Sequence, residues 1–199
     1  MKLITFEGIE GVGKSTQINL SKEWLESKGN SVKLLREPGS TKFGEKIREI
    51  LLSKDSNISS NTELLLMFAA RSEMIQSYFN EDAADFILCD RYYHASIAYQ
   101  GYGRGLSLEL INSLIVGLNC PKPDLTIIYD LDVALGFARK SDDTIDRIES
   151  SGLDFFERVR EGYIALSKSE AEVHLINADS SPEDIHSQSI HLIQTQLNL

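Results

Sequence analysis

Gly8-Ile9-Glu10-Gly11-Val12-Gly13-Lys14-Ser15-Thr16 follows a short apolar run, Lys2–Phe6, and opens a stretch with helical spacing. It satisfies the pattern G-x-x-x-x-G-K-S/T at every defined position. Glycines let the backbone turn tightly and aim successive N–H groups at phosphate oxygens, while the helix beginning near Lys14 adds its positive N-terminal end. Lys14 is then placed to neutralise the outer phosphates of a nucleotide, and the Ser15 hydroxyl to ligate Mg²⁺. A glycine-rich surface turn can match such a pattern by accident, but a strand before it and a helix after it favour nucleotide binding. The motif alone does not separate a kinase from a GTPase or a motor.

Four more apolar runs of strand length lie outward from this loop, at Val32–Leu35, Phe86–Asp90, Leu125–Asp130 and Val173–Asn177, with helical spacing between them. That alternation predicts an α/β fold: a five-stranded parallel sheet flanked by helices, in one domain over residues 1–199. Phe43, Ile47, Ile50 and Leu51 are spaced as one buried helix face, and so are Ile185, Leu192 and Ile193. Gly29-Asn30 suits a helix stop, and Ser181-Pro182-Glu183-Asp184 supplies a cap, a first-turn proline and first-turn acids. Ser53–Thr62 reads as a surface loop, and a second polar stretch, Lys140–Thr144, interrupts a helical pattern.

The 199 residues are 42% apolar and carry 30 acidic against 20 basic groups, a formal charge of -10 and a pI near 4.9. A polyanion such as DNA or RNA would be repelled by that balance, so no nucleic-acid polymer is expected as partner. A small phosphate ligand needs only a local cluster of cations. No apolar run approaches the ~18 residues of a membrane span, and the first residues lack the pattern of a secretory leader, so a cytoplasmic location is expected. Cys89 and Cys120 form neither a C-x-x-C pair nor a repeated spacing and are expected as buried thiols. The four histidines show no metal-binding spacing with nearby acids.

The strand candidate Phe86–Asp90 ends in an acid followed by Arg91-Tyr92-Tyr93. In a parallel sheet the carboxyl ends of the strands face one crevice, so Asp90 and Arg91 are expected to open towards the glycine-rich loop. Asp90 then suits Mg²⁺ through its water shell, and Arg91 suits bidentate pairing with a phosphate. A switch GTPase would show an N/T-K-x-D segment for guanine and a D-x-x-G switch, and the chain has neither.

The loop, with Arg36-Glu37-Pro38-Gly39-Ser40-Thr41, Phe68-Ala69-Ala70-Arg71, Asp90-Arg91-Tyr92-Tyr93, Ser96-Ile97-Ala98-Tyr99-Gln100-Gly101, Pro123-Asp124-Leu125-Thr126, Asp146-Arg147-Ile148-Glu149 and Gly152-Leu153-Asp154-Phe155-Phe156, resembles the bacterial thymidylate kinases over nearly the whole chain. The resemblance implies a P-loop NTPase fold with a short mobile lid over about residues 139–152, phosphoryl transfer from Mg·ATP to dTMP, and a homodimer. Glu10 is similar to the family's acid that bonds the acceptor's 3′-hydroxyl. Arg71 resembles the arginine that reads the thymine edge, and Tyr99 the ring packed under the deoxyribose. Gln100 resembles an amide on the base, with Ser96 nearby. The family's stacking ring falls here on Met67, with Phe68 beside it, and either residue can serve. Arg36 joins Lys14 and Arg91 as a cation for phosphate. Gly11 stands where some members carry an arginine, which shifts the remaining positive charge to the lid, to Arg139 and Arg147, with Lys140 between them and Asp142-Asp143 turned to solvent. Asn177-Ala178 resembles the short loop under adenine.

Overall fold

A computed structural model describes residues 1–79, 84–140 and 145–199. Five parallel strands, β1 (Lys2–Glu7), β2 (Val32–Arg36), β3 (Phe86–Asp90), β4 (Leu125–Asp130) and β5 (Val173–Asn177), form one sheet in the order β2-β3-β1-β4-β5. Helices α1 (Lys14–Ser27), α2 (Lys42–Leu52), α3 (Ser60–Tyr78), α4 (Tyr93–Ser96), α5 (Leu108–Gly117), α6 (Val133–Arg139), α7 (Leu153–Ser169) and α8 (Pro182–Leu197) connect and cover it. A π-helical segment, Ile97–Gly103, continues α4.

The three inner strands are buried on both faces, which is why β1, β3 and β4 read as continuous apolar runs and not as alternating ones. Ile4, Leu88 and Ile127 are completely enclosed, each contributing roughly 1.5–3 kcal/mol by burial. The chain leaves β1 for β2 and β3 on one side, then returns past it to β4 and β5 on the other. A crevice therefore opens at the carboxyl end of β1. Register sharpens this: Phe6 lies beside Asp90, and Glu7 beside Ile128, so the glycine-rich loop and the Asp90-Arg91 step leave the sheet at the same edge.

Helix starts follow local chemistry. Thr41 caps α2, Ser59 caps α3, and Ser181 accepts the Asp184 N–H ahead of Pro182 at the start of α8. Gly29 takes φ 86° just beyond the end of α1. One expectation needs correction in α2: Ile47 and Leu51 are buried, but Phe43 and Ile50 are 52% and 46% exposed. The apolar stripe is wider than the groove that receives it, and one flank faces outward. Cys89 is buried, whereas Cys120, after α5, is only half-buried. No helix among the described residues is long and apolar enough to cross a membrane.

Candidate active site

The loop from Gly8 to Gly13 wraps back over the start of α1. Gly8, Gly11 and Gly13 all have positive φ, at 130°, 74° and 85°. For Gly11 the reason includes space as well as torsion, because a Cβ there would lie 1.9 Å from the carbonyl oxygen of Gly136 in α6. Gly136 in turn has no room for a Cβ, which would meet the Glu10 carbonyl at 2.6 Å. Two glycines thus let loop and helix touch backbone to backbone. Lys14 folds over the loop and donates to the carbonyls of Gly8 at 3.2 Å and Ile9 at 3.0 Å. Burial, and then the neighbouring Arg91, push its ammonium pKa down. Gly11, Val12, Gly13, Lys14, Ser15 and Thr16 line an open cradle whose far rim is Arg139 and Lys140.

Beside the cradle lies a deeper cavity of about 320 Å³, sharing Glu10, Lys14, Ser15 and Lys140 with it. Arg91 dominates the boundary. Its backbone is left-handed at φ 66°, and its guanidinium donates to the Gly8 carbonyl at 2.9 Å, to the Tyr163 hydroxyl at 3.3 Å and to Glu10 Oε1. The ring of Tyr99 lies 4.8 Å beneath it, and the Tyr99 hydroxyl donates to the same Glu10 oxygen at 3.3 Å. Burial opposes ionisation of Glu10, but Arg91, with help from Lys14 and Lys140, brings its carboxyl down to about 2. Glu7, wholly buried, accepts from the Tyr92 N–H and the Tyr163 hydroxyl, both at 2.7 Å, and so braces the turn that presents Arg91.

At the other end of the cavity Arg71 is 1% exposed. Glu37 grips its Nε and Nη2, and Nη2 also donates to Ser96 at 3.0 Å. Nη1 is buried and has no partner among the described residues. Gln100 lines the same cavity, its amide nitrogen donating to Glu63 at 2.9 Å. Arg36 and Arg48 stand at the mouth, Arg36 paired with Glu45 at 2.8 Å and Arg48 donating to the Pro38 carbonyl at 3.1 Å. Asp90 also lines the cavity, and its Oδ1 is buried without a partner among the described residues. An orphaned carboxylate oxygen in a cavity that Ser15 shares suits a hard divalent cation such as Mg²⁺.

The thymidylate kinase family model matches residues 6–189. A thymidylate kinase of Nostoc punctiforme is 47% identical over 84% of this chain and 83% of its own, and one from Vesicomyosocius okutanii is 47% identical over 97% of each. A solved thymidylate kinase structure from Ehrlichia chaffeensis superposes with a TM-score of 0.80 at 32% identity, covering 98% of both chains. The chain belongs to the thymidylate kinase family. The fold is accordingly that of the P-loop NTPases.

Within this thymidylate kinase frame, the structure brings together Glu10, Lys14, Ser15, Arg36, Met67, Arg71, Asp90, Arg91, Ser96, Tyr99 and Gln100 around one cavity. Met67 faces it, whereas Phe68 is buried in the core with the Arg71 guanidinium 4.4 Å over its ring. Ile9 is likewise a core residue behind the loop. Arg139 is tied to the segment after β5, donating to the Ala178 carbonyl at 2.9 Å and to Asp179 at 3.1 Å, whereas Asn177 and Ala178 line neither cradle nor cavity. Arg147 is placed elsewhere: it donates to the Leu51 carbonyl at 2.8 Å and to Glu63 at 2.7 Å and lines neither cradle nor cavity. Lys140, paired with Glu149, lines both. Asp142 and Asp143 lie outside the described residues.

Sequence reasoning missed Glu7, Glu37, Glu63, Arg48 and Gly136. Glu7 carried a visible signal, being an acid at the end of a strand whose preceding residues are mostly apolar. Arg48 carried one only in retrospect, as the cation one turn along α2 from Glu45.

Proposed function

We propose that this chain is an ATP:thymidylate phosphotransferase, moving the γ-phosphoryl group of Mg·ATP onto dTMP to give dTDP and ADP, and so feeding dTTP synthesis. The observation that carries the reading is the shared wall. A phosphate cradle and a base-sized cavity meet at Glu10, Lys14 and Ser15, with Arg91 at the junction, so two nucleotides bound end to end would bring their phosphates together there.

The acceptor phosphate has a second pKa near ~6 and is largely a dianion at neutral pH, so it needs no strong base. The barrier lies in bringing two polyanions together, and fixed cations lower it. Lys14 and the loop N–H groups take the donor phosphates, while Arg91, with Arg36 at the mouth, takes the acceptor phosphate. Ser15 and Asp90 would hold Mg²⁺, which supplies further charge neutralisation on the donor when bound. Glu10 bonds the acceptor's 3′-hydroxyl and keeps Arg91 aimed. Arg71 and Gln100 read the base, with Ser96 fixing Arg71, and Tyr99 fills the space a 2′-hydroxyl would need. Met67 packs on the base through its polarisable sulfur. Arg139 and Lys140, on the cradle rim, cover the transfer, and Asn177-Ala178 sits under adenine. The protein acts as a cytoplasmic homodimer in this reading, supported by the apolar flank of Phe43 and Ile50 that α2 leaves uncovered.

A coupled ADP-release assay across thymidylate, deoxyuridylate, deoxycytidylate, uridylate, adenylate, guanylate and shikimate tests the assignment. Thymidylate is expected to give the highest specificity constant. Faster turnover of adenylate or shikimate would overturn the reading.

A further inference from the structure

Glu63, near the start of α3, is a carboxylate only 1% exposed, and every acceptor position it offers is taken. Gln100 Nε2 and Arg104 Nε reach its Oε1 at 2.9 and 3.2 Å, and Arg104 Nη2 and Arg147 Nη2 reach Oε2 at 3.2 and 2.7 Å. The two arginines are themselves anchored, Arg104 to Ser151 at 2.8 Å and Arg147 to the Leu51 carbonyl at 2.8 Å. Burial alone would raise the Glu63 carboxyl, but the Arg104 and Gln100 hydrogen bonds and the Arg147 contact hold it below its usual range, so it stays an anion.

An anion accepts and never donates, which decides how the neighbouring amide must lie. Only the nitrogen end of Gln100 can face Glu63, so the carbonyl end is left for the cavity that Gln100 lines. At the same end of that cavity Arg71 Nη1 is a buried donor without a partner among the described residues. The cavity thus offers one fixed acceptor and one fixed donor. Thymine presents the complement, an N3–H donor beside the O4 acceptor. Cytosine presents the reverse, an N3 acceptor beside an amino donor. A free amide would adapt to cytosine by turning over, because a flip exchanges its two ends at little cost. Here a flip would press the Gln100 carbonyl against a carboxylate and strip that carboxylate of a donor.

We propose that Glu63 is a specificity-determining positioning residue, which by locking the Gln100 carboxamide in one orientation makes the acceptor cavity select a lactam base edge over a cytosine edge. This rests on the reading of Arg71 and Gln100 as base-contacting residues, and it extends that reading to a residue that does not line the cavity. The element that carries Gln100 matters: it lies in the π-helical segment, where the hydrogen-bond spacing is wider than in an α-helix. The lock supplies the constraint from outside.

The test is a comparison of specificity constants for thymidylate, deoxyuridylate and deoxycytidylate in the wild type, Glu63→Gln, Gln100→Ala and the double variant. A glutamine at position 63 can turn together with Gln100, so Glu63→Gln is expected to narrow the thymidylate-to-deoxycytidylate ratio by about tenfold, the weight of one buried hydrogen bond left unmade. The thymidylate-to-deoxyuridylate ratio is expected to stay the same, since those bases share the edge being read; a general loosening of the cavity would move both. In the Gln100→Ala background, Glu63→Gln is expected to add no further change to the cytosine ratio. If Gln100→Ala alters that ratio but folded Glu63→Gln does not, the lock is wrong and the base reading stands. If Gln100→Ala leaves it untouched, the base reading at Gln100 fails and takes the lock with it. An undiminished effect of Glu63→Gln without Gln100 would show that Glu63 acts by another route, which also overturns the proposal. Should Glu63→Gln not fold, Glu63→Asp keeps the charge but withdraws it by one methylene, and it carries the same expected narrowing.

Discussion

Arg91 holds a left-handed backbone at φ 66°, a conformation that costs a residue with a side chain roughly 1–2 kcal/mol. Glu7 offsets this by accepting the next N–H, that of Tyr92, and by fixing Tyr163 against the guanidinium. Strain is held where the cavity presents a cation at one point. Arg91→Ala and Lys14→Ala are each expected to lower turnover by ~10²–10³ while circular dichroism stays native, because under the proposed function each removes a charge facing phosphate and neither empties the core. Full activity in either folded variant would remove that residue from the mechanism. Glu10 gives a pH prediction with a definite sign. Its carboxyl titrates at about 2 in the folded chain against an ordinary 4.5, so the stability it lends is fully present above about 4.5 and is lost as pH falls through about 2. The stability difference between wild type and Glu10→Gln, followed by denaturant titration, is expected to shrink over that acid window and to stay flat from pH 6 to 8. That Lys14, Asp90 and Arg91 would meet around one cavity was legible, since a lysine in a glycine-rich loop and an Asp-Arg step at the end of a parallel strand leave the sheet at the same edge. Glu37 and Glu63 were not, because a buried acid is recognisable only by the arginines that reach it from distant positions.

α6 is short, yet it links the phosphate loop to the segment that carries Lys140. Its seat depends on Gly136, whose missing side chain lets the Glu10 carbonyl approach. Gly136→Ala needs the helix to move off the loop by some tenths of an ångström or more. The expected result is a protein that melts within a few degrees of the wild type but turns over at least about tenfold more slowly, since small misplacements of reacting groups are costly. Calorimetry and steady-state kinetics on one preparation would check both halves, and unchanged kinetics would show that the contact is only packing. The same crowding answers why an arginine cannot simply be placed at position 11: with φ 74° and the Gly136 carbonyl 1.9 Å from a Cβ, there is no room for any side chain. Strands and capped helices were readable from period and punctuation. The π-helical segment was not, since nothing in Ile97–Gly103 distinguishes it locally from an α-helix. The placement of Arg147 was also hidden, because its partners Leu51 and Glu63 lie 96 and 84 positions away.

The whole molecule carries a formal charge of -10, yet Lys14, Arg36, Arg48, Arg71 and Arg91 all line one cavity. Net charge argues against a polyanionic polymer as partner but gives no sign of this inward gathering of cations, which the sheet creates by ending β1, β2 and β3 at one edge. Phe43 and Ile50 are the outward counterpart, apolar groups on α2 with no cover in the monomer. Sedimentation equilibrium is expected to give a dimer for the wild type and a monomer for the Phe43→Glu, Ile50→Glu double variant; a dimer in both would move the interface elsewhere. The strand order has a last consequence, for synthesis. β1 leaves the ribosome first, but its partners β3 and β4 are made some eighty to one hundred and twenty residues later, and the loop glycines find their neighbours only when Tyr129 and Gly136 arrive. At roughly 5–20 residues per second, the growing chain spends about 6–24 s with its nucleotide motif translated but unformed. During that interval the apolar β1 segment is exposed on an incomplete chain and has to be kept from other nascent chains, so the order that centres β1 in the finished sheet makes it the strand that waits longest for its partners.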